Sequence, residues 1–259
     1  MYNHIYLPSY TKADPFPHGI QDNFLNSEFA IELQREILNI HESEWDRYQN
    51  PFETKYTLRD KYAFPKNLKT LFSTLESPEF VSEISSVVGV PLVLDPTRNF
   101  WGVHKYNNGD KLDIHVDAGL HPQTKQKKQI TLGIYLSSNW DESYGCKLEL
   151  WRGTNAGLSN PVITEKIVEI APIFNRLVLF TNNDYSWHGN PTPATCPENA
   201  KRIFITISYL SENYEDTNKR CKALFVARPD DPIDPHKDEL RLLRADPVRY
   251  AEIYKSGLK

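Results

Sequence analysis

The sequence predicts a mainly β fold, an antiparallel sandwich or jelly roll, with helices at its beginning. From Leu92 onward, short runs rich in Val, Ile, Tyr, Phe and Trp are separated by clusters of Asn, Gly, Asp and Pro, a pattern typical of strands and turns. No helical pattern separates these runs, which argues against alternating strand-helix units. The first ninety residues instead carry apolar stripes at helical spacing, so we expect helices on one side of a sheet.

Three amphipathic helices are predicted in this mainly helical N-terminal part, about residues 1–90. Their apolar stripes lie within residues 29–38, 68–75 and 80–88. The third stripe follows Ser77, a favourable N-cap residue, and a proline at the first helical position.

The predicted β region extends from about residue 92 to 212. Strands are expected near residues 99–106, 112–116, 129–136, 147–151, 163–170, 176–180 and 202–210. Beyond it, about residues 213–259 form a C-terminal extension, in which a short helix is predicted from Asp246 through Tyr254. With no repeat and no long linker, we predict one domain spanning residues 1–259.

Composition excludes several classes of partner. The 34 acidic and 30 basic residues give a net charge of -4 without an extended basic run, so nucleic acid is not expected as a partner. The start of the chain lacks the pattern of a signal peptide, and no apolar segment approaches membrane-spanning length. We therefore expect a cytoplasmic protein with no membrane partner. Cys146, Cys196 and Cys221 are widely spaced and are predicted to be reduced.

The segment LDIHVD contains a candidate metal-binding pair. His115 and Asp117 lie two residues apart at a predicted strand end, so their side chains leave the same face. A third ligand is predicted at His188, which follows the apolar strand RLVLF. Two imidazoles and one carboxylate leave coordination positions open, an arrangement that suits ferrous iron.

An anion site is predicted on the strand RIFITISYL. Arg202 begins this strand, and Thr206 lies on the same face because side chains alternate along a strand. A buried arginine requires an anionic partner. The guanidinium fork fits a carboxylate, and the threonine hydroxyl can add a hydrogen bond.

This order of residues resembles the 2-oxoglutarate and Fe(II)-dependent dioxygenase superfamily, and its detail resembles the prolyl-hydroxylase-like branch. YNNGDKLDIHVD, IYLSSNWDESYGCKLELW and RIFITISYL carry the resemblance, which covers about residues 99–210. It implies a double-stranded β-helix (jelly roll) core flanked by N-terminal helices. It also implies that Fe(II) binds to His115, Asp117 and His188, with no catalytic side chain beyond the metal centre.

The resemblance further implies how the co-substrates bind. Tyr135 would bind the distal carboxylate of 2-oxoglutarate together with Arg202 and Thr206, while Tyr106 would line the pocket. Dioxygen would be the second co-substrate, with ascorbate as a candidate reductant. The implied reaction hydroxylates a C–H bond, with release of succinate and CO2. The presence of Asp117, rather than alanine or glycine, argues against the related halogenases.

The expected substrate is a prolyl or other residue in a protein or peptide. The alternatives are a free amino acid or small metabolite, a cupin-type metal-binding protein that does not use 2-oxoglutarate, and a jelly-roll sensor without turnover. A peptide hydroxylase should have an open groove with polar edges, and a small-molecule enzyme a closed pocket with an extra charged anchor. The sequence departs from the family pattern at two places. Cys146 stands where the family usually has a second glycine. The insertion PTPATCPENA lengthens the stretch between His188 and Arg202 and is expected to bear on substrate choice.

Several other polar residues are predicted to lie outside the site. His104, His121 and His236 are expected at the surface or as neighbours of the metal ligands. The lysine cluster at residues 125–128 is predicted to be a solvated loop, with a mobile lid as the alternative.

Overall fold

One antiparallel sheet dominates the computed structural model, which describes residues 1–58, 64–212, 220 and 222–246. Its strands are β1 His18–Gln21, β2 Trp45–Asn50, β3 Glu53–Leu58, β4 Gly102–Tyr106, β5 Lys111–Val116, β6 Lys127–Tyr135, β7 Leu148–Gly153, β8 Ile163–Ile170, β9 Arg176–Thr181, β10 Trp187–Asn190, β11 Arg202–Ser211 and β12 Leu224–Phe225. The α-helices are α1 Ser27–Leu38, α2 Lys66–Leu75, α3 Pro78–Val88 and α4 Pro235–Ala245.

The strand order is that of a curled sheet. It runs β1-β9-β6-β11-β4-β3-β5-β10-β7-β8, with β2 paired to β3 and β12 paired to β5. Strands β4 to β11 form the jelly roll, which confirms the expected double-stranded β-helix with N-terminal helices. Strand β3 pairs with both β4 and β5 and thereby joins the two parts of the roll.

The helices cover the outer face of the sheet. Alternate residues of β6 and β11, such as Leu132 and Ile205, are buried in one apolar cluster with Leu33, Leu71 and Ile84 of α1, α2 and α3. The other residues of the same strands point into the roll. This alternation places a dry core on one face and leaves the opposite face available for a site.

Local signals explain where helices α1 and α3 begin. The side chain of Asn26 accepts hydrogen bonds from the backbone N–H groups of Glu28 and Phe29 at the start of α1. Ser77 accepts from the N–H of Phe80 at the start of α3. These caps satisfy donors that have no partner inside the helix.

All seven predicted strands are present, and the differences concern short or polar strands. The N-terminal part contributes β1, β2 and β3 as well as its helices. The β2–β3 hairpin has the sequence WDRYQNPFETKYTL, in which polar residues obscure the alternation on which strand prediction depends. Strands β10 and β12 have only 4 and 2 residues.

The C-terminal extension contains α4, a helix ahead of the predicted one. The helix predicted from Asp246 lies almost entirely outside the described residues, as does Cys221. Cys146 and Cys196 are buried free thiols. None of the helices in the described part of the chain combines the length and hydropathy needed to span a membrane.

Candidate active site

His115, Asp117 and His188 converge inside the roll. His115 near the end of β5 lies opposite His188 on β10 in the antiparallel register, and Asp117 directly follows β5. One potential ligand atom of each side chain lies within 4.8 Å of the others. The structure therefore brings together the three residues that were predicted as metal ligands.

Main-chain hydrogen bonds orient both imidazoles. The Nδ1 atom of His115 lies 2.9 Å from the carbonyl oxygen of Asp113, and that of His188 lies 2.8 Å from the carbonyl oxygen of Ser186. Because a carbonyl oxygen can only accept, each Nδ1 carries the proton and each Nε2 retains its lone pair. The Nε2 atoms lie 3.6 and 3.9 Å from the carboxylate of Asp117.

The charge state of the cluster suits a divalent cation. The pKa of His188 is lowered to about 3, mainly by burial and further by the neighbouring His115. This imidazole is therefore neutral. Burial alone would raise the pKa of Asp117, but the Lys128 ammonium and the two imidazoles together hold it well below its usual value. A neutral imidazole and an ionised carboxylate are the forms that bind metals.

Lys128 reaches the cluster, which the sequence did not predict. Its Nζ atom lies 2.6 Å from Oδ2 of Asp117 and 4.9 Å from the ring centre of Phe100. The predicted solvated loop is wrong for Lys127 and Lys128, because both are buried at the start of β6. Strand β6 begins at Lys127 and Lys128, just before the apolar segment QITLGIY. Because lysines give no apolar pattern, the sequence did not indicate that the strand starts at these residues.

Arg202 forms a second polar centre in the same cavity. It begins β11 opposite Tyr106 on β4 and is only 2% exposed. One guanidinium nitrogen, Nη2, donates to the hydroxyl of Tyr135 over 3.3 Å, and the guanidinium carbon lies 4.5 Å from the ring centre of Tyr106. In the described part of the chain, Nε and Nη1 have no hydrogen-bond partner. Because arginine stays charged, these two donors form a ready anion site.

The other predicted pocket residues lie around this guanidinium. Tyr106, Tyr135 and Thr206 all line the cavity, together with His104, which was predicted outside the site. The hydroxyl of Thr206 donates to the carbonyl oxygen of Leu132 over 3.3 Å. A hydroxyl oxygen bonded in this way can still accept a hydrogen bond, whereas its single proton is already used.

A cavity of about 280 Å³ contains both polar centres. Besides Lys128, its wall includes three further charged residues that the sequence did not indicate, namely Glu53, Lys55 and Arg244. Glu53 accepts from Lys55 over 2.9 Å and lies 4.0 Å from Arg244. Glu53 and Lys55 belong to the polar hairpin strand β3, and Arg244 belongs to α4. None of these segments contains a motif that would indicate a binding site.

A second groove, about 610 Å³ in volume, borders this cavity at Phe225. Its walls are residues 156–162, between β7 and β8, and part of α4. Leu158 and Leu242 stand beside it with 56% and 70% of their surfaces exposed. The groove therefore combines exposed apolar side chains with the charged residues of α4.

His121 and Cys146 lie in surroundings that the sequence did not fully indicate. His121 is fully buried, with its Nε2 2.9 Å from the hydroxyl of Thr97 and 3.1 Å from Asp95, so it ties two loops together. Cys146 has a φ of 51°, in the left-handed region that glycine favours. Cys146 thus adopts a backbone conformation that a glycine at this position would adopt without strain.

Residues 101–210 match the model of the 2OG-Fe(II) oxygenase superfamily. The matched segment contains His115, Asp117, His188 and Arg202. Members of this superfamily are non-haem iron dioxygenases, and Fe(II), 2-oxoglutarate and O2 are their cofactor and co-substrates. A comparison with curated proteins found no match.

Solved structures share the fold at low sequence identity. A prolyl-4-hydroxylase of Pseudomonas putida is 15% identical, with 76% of this chain and 93% of that chain covered and a TM-score of 0.54. A prolyl hydroxylase of Trichoplax adhaerens, in complex with a hypoxia inducible factor peptide fragment, is 23% identical, with 75% and 84% covered and a TM-score of 0.52. An oxidoreductase of the 2OG-Fe(II) oxygenase family from Burkholderia pseudomallei is 12% identical, with 85% and 97% covered and a TM-score of 0.52.

Proposed function

We propose that this chain is a hydroxylase in which His115, Asp117 and His188 hold Fe(II). One observation supports this proposal above the others. The neutral-imidazole and carboxylate cluster shares a cavity with a buried guanidinium, Arg202, that has two unused donors. A metal alone would leave that guanidinium without an anion. An anion that also chelates the metal satisfies both centres.

In this proposal, 2-oxoglutarate is that anion. Nε and Nη1 of Arg202 receive its distal carboxylate, the hydroxyl of Tyr135 donates to it, and the Thr206 hydroxyl and the Tyr106 ring complete the wall. With iron bound, 2-oxoglutarate and O2 supply an oxidant for C–H hydroxylation, and succinate and CO2 are released. Ascorbate would keep the iron reduced. The protein orients these groups and excludes water from the cavity.

The proposed substrate is a residue, prolyl or other, in a protein or peptide. The groove that shares Phe225 with the cavity supports this choice, because it offers an open surface next to the cavity on which a peptide could lie. The structural similarity to the Trichoplax adhaerens prolyl hydroxylase, which was solved with a peptide fragment, is compatible with it.

A free amino acid or small metabolite is the second candidate substrate. The observation that favours it is the charged wall of Glu53, Lys55 and Arg244, because such a wall can anchor a small charged molecule. Separating the two substrates requires turnover with a peptide panel and with free amino acids, with product gain of one oxygen measured by mass spectrometry. Oxidation of free amino acids alone would reject the peptide proposal.

Anaerobic titration of the apoprotein with Fe(II) and 2-oxoglutarate tests the proposal without knowledge of the substrate. We expect a visible metal-to-ligand charge-transfer band in the parent protein and its loss in Asp117→Ala. Circular dichroism would verify that the variant is folded. Metal binding without the band in the parent would favour the cupin alternative, and absence of metal binding would leave a jelly-roll sensor.

A further inference from the structure

Asp117 has two carboxylate oxygens in different surroundings. Oδ2 lies 2.6 Å from the Lys128 ammonium and 3.9 Å from Nε2 of His188, whereas Oδ1 lies 3.6 Å from Nε2 of His115. Within the described part of the chain, no side chain donates a hydrogen bond to Oδ1, since Nε2 of His115 carries a lone pair. The two oxygens are therefore not equivalent before any metal arrives.

The Thr131 hydroxyl also approaches Oδ2 of Asp117, at 3.5 Å. The Asn182 side chain contacts this oxygen too. It follows β9 and is 3% exposed, with its amide between Thr131 and Asp117. One amide atom lies 3.1 Å from the backbone nitrogen of Thr131, and a backbone N–H can only donate, so that amide atom is the oxygen. The amide nitrogen then faces Oδ2 of Asp117 and donates to it over 3.1 Å.

Thr131 fixes the orientation of this amide. In this orientation, both its backbone N–H and its hydroxyl, at 3.0 Å, lie within hydrogen-bonding distance of the Asn182 oxygen. Rotating the amide by half a turn would set the amide NH2 against the backbone N–H of Thr131 and the amide oxygen against the carboxylate. A chain of hydrogen bonds therefore runs from β6 through Asn182 to Asp117.

We propose that Asn182 is a positioning residue that holds Oδ2 of Asp117, so that this carboxylate binds the metal through Oδ1 alone. The inference rests on the proposed function, in which Asp117 is a metal ligand. A carboxylate that used both oxygens would occupy one more coordination position, and 2-oxoglutarate and O2 need the positions that a three-residue ligand set leaves open. Asn182 and Thr131 are neutral, so they orient the ligand without repelling a cation.

Cobalt(II) titration of the apoprotein, followed by 2-oxoglutarate, tests this role through the visible spectrum of the metal. Asn182→Ala should weaken cobalt binding by about 10- to 100-fold, which is typical when a partner of a metal ligand is lost, and should alter the cobalt absorption bands. Thr131→Val keeps the backbone donor and removes the hydroxyl, so we expect a smaller loss, about two- to tenfold.

Asn175→Ala is the matched control. Asn175 is a buried asparagine with two side-chain hydrogen bonds to the backbone of Leu25, and it does not line the cavity. Its loss should lower thermal stability and leave the cobalt affinity and spectrum of the folded protein unchanged. Parent-like cobalt affinity and spectra in folded Asn182→Ala and Thr131→Val would overturn the inference. Failure of the parent itself to bind cobalt would instead reject the proposed function.

Discussion

The two faces of strands β6 and β11 have opposite compositions. On the outer face, Ile130, Leu132 and Ile205 are at most 1% exposed and pack in the cluster that includes the N-terminal helices. On the inner face of the same strands, Thr131 and Arg202 line the cavity. Along one strand, the residues on the outer face thus pack in the core, and those on the inner face line the cavity. Substitutions on the two faces should affect different measurements.

The largest expected effect is on 2-oxoglutarate affinity and follows from Arg202→Met. Two charge-assisted hydrogen bonds contribute about 3–6 kcal/mol together, so affinity for 2-oxoglutarate should fall by at least about 100-fold. The free energy of unfolding should not fall, because a buried charge without an internal anion is replaced by an apolar side chain. Titration of the charge-transfer band and chemical denaturation measure the two quantities.

Ile205→Ala, on the outer face of the same strand, is the paired substitution. It should lower the free energy of unfolding by about 3 kcal/mol, since it opens a cavity in a packed core, and should leave 2-oxoglutarate affinity of the folded protein unchanged. Loss of stability in Arg202→Met together with loss of affinity in Ile205→Ala would contradict the separation of the two faces.

A smaller effect is expected from Gly133→Ala on β6. A Cβ atom at this position would lie 2.0 Å from the ring of Phe204, which lines the cavity. The ring must move, so 2-oxoglutarate affinity should fall by about tenfold and stability by about 1–3 kcal/mol. Gly102→Ala is the control, because its nearest contact, His104, would be 3.7 Å away. Equal behaviour of the two variants in the band titration would show that Phe204 has room to adapt.

Lys128→Met should have the smallest effect and the opposite sign. Lys128 hydrogen-bonds Asp117, but it also brings a positive charge to a ligand of a divalent cation. In a buried site, the repulsion of like charges at this range exceeds the roughly 1.5–3 kcal/mol of a charged hydrogen bond. Cobalt affinity should therefore rise several-fold. Weaker binding in this variant would mean that orientation of Asp117 by Lys128 outweighs the repulsion.

The sequence predicted the elements whose signal is local. The seven strands near residues 99–210 alternate clearly enough to be recognised, and the spacing of His115 and Asp117 requires only that they lie on one strand. His188 and Arg202 were predicted from their positions next to predicted strands, and the family resemblance added their expected roles. The structure brings all four side chains to one cavity.

The polar residues that the sequence did not indicate owe their positions to contacts between segments far apart in the chain. Glu53 and Lys55 lie on a strand without apolar alternation, and their place in the wall depends on the pairing of β3 with β4 and β5. Lys128 was predicted in a solvated loop or a mobile lid, and His121 at the surface or beside the metal ligands, because charged and polar residues are usually exposed. Their partners, Asp117 for Lys128 and Asp95 for His121, are separated in sequence by 11 and 26 residues, so no local pattern could indicate the contacts.

The pairing of β3 with both β4 and β5 has a consequence for folding. A polypeptide that began at residue 64 would contain all the strands from β4 to β11, yet β4 and β5 would each lose a neighbour. Unpaired strand edges attract other chains, so such a fragment should self-associate. The roll also cannot close until residues 53–58 return from roughly fifty positions upstream. Closure of the cavity wall therefore depends on contacts between residues far apart in the sequence, and such contacts slow folding.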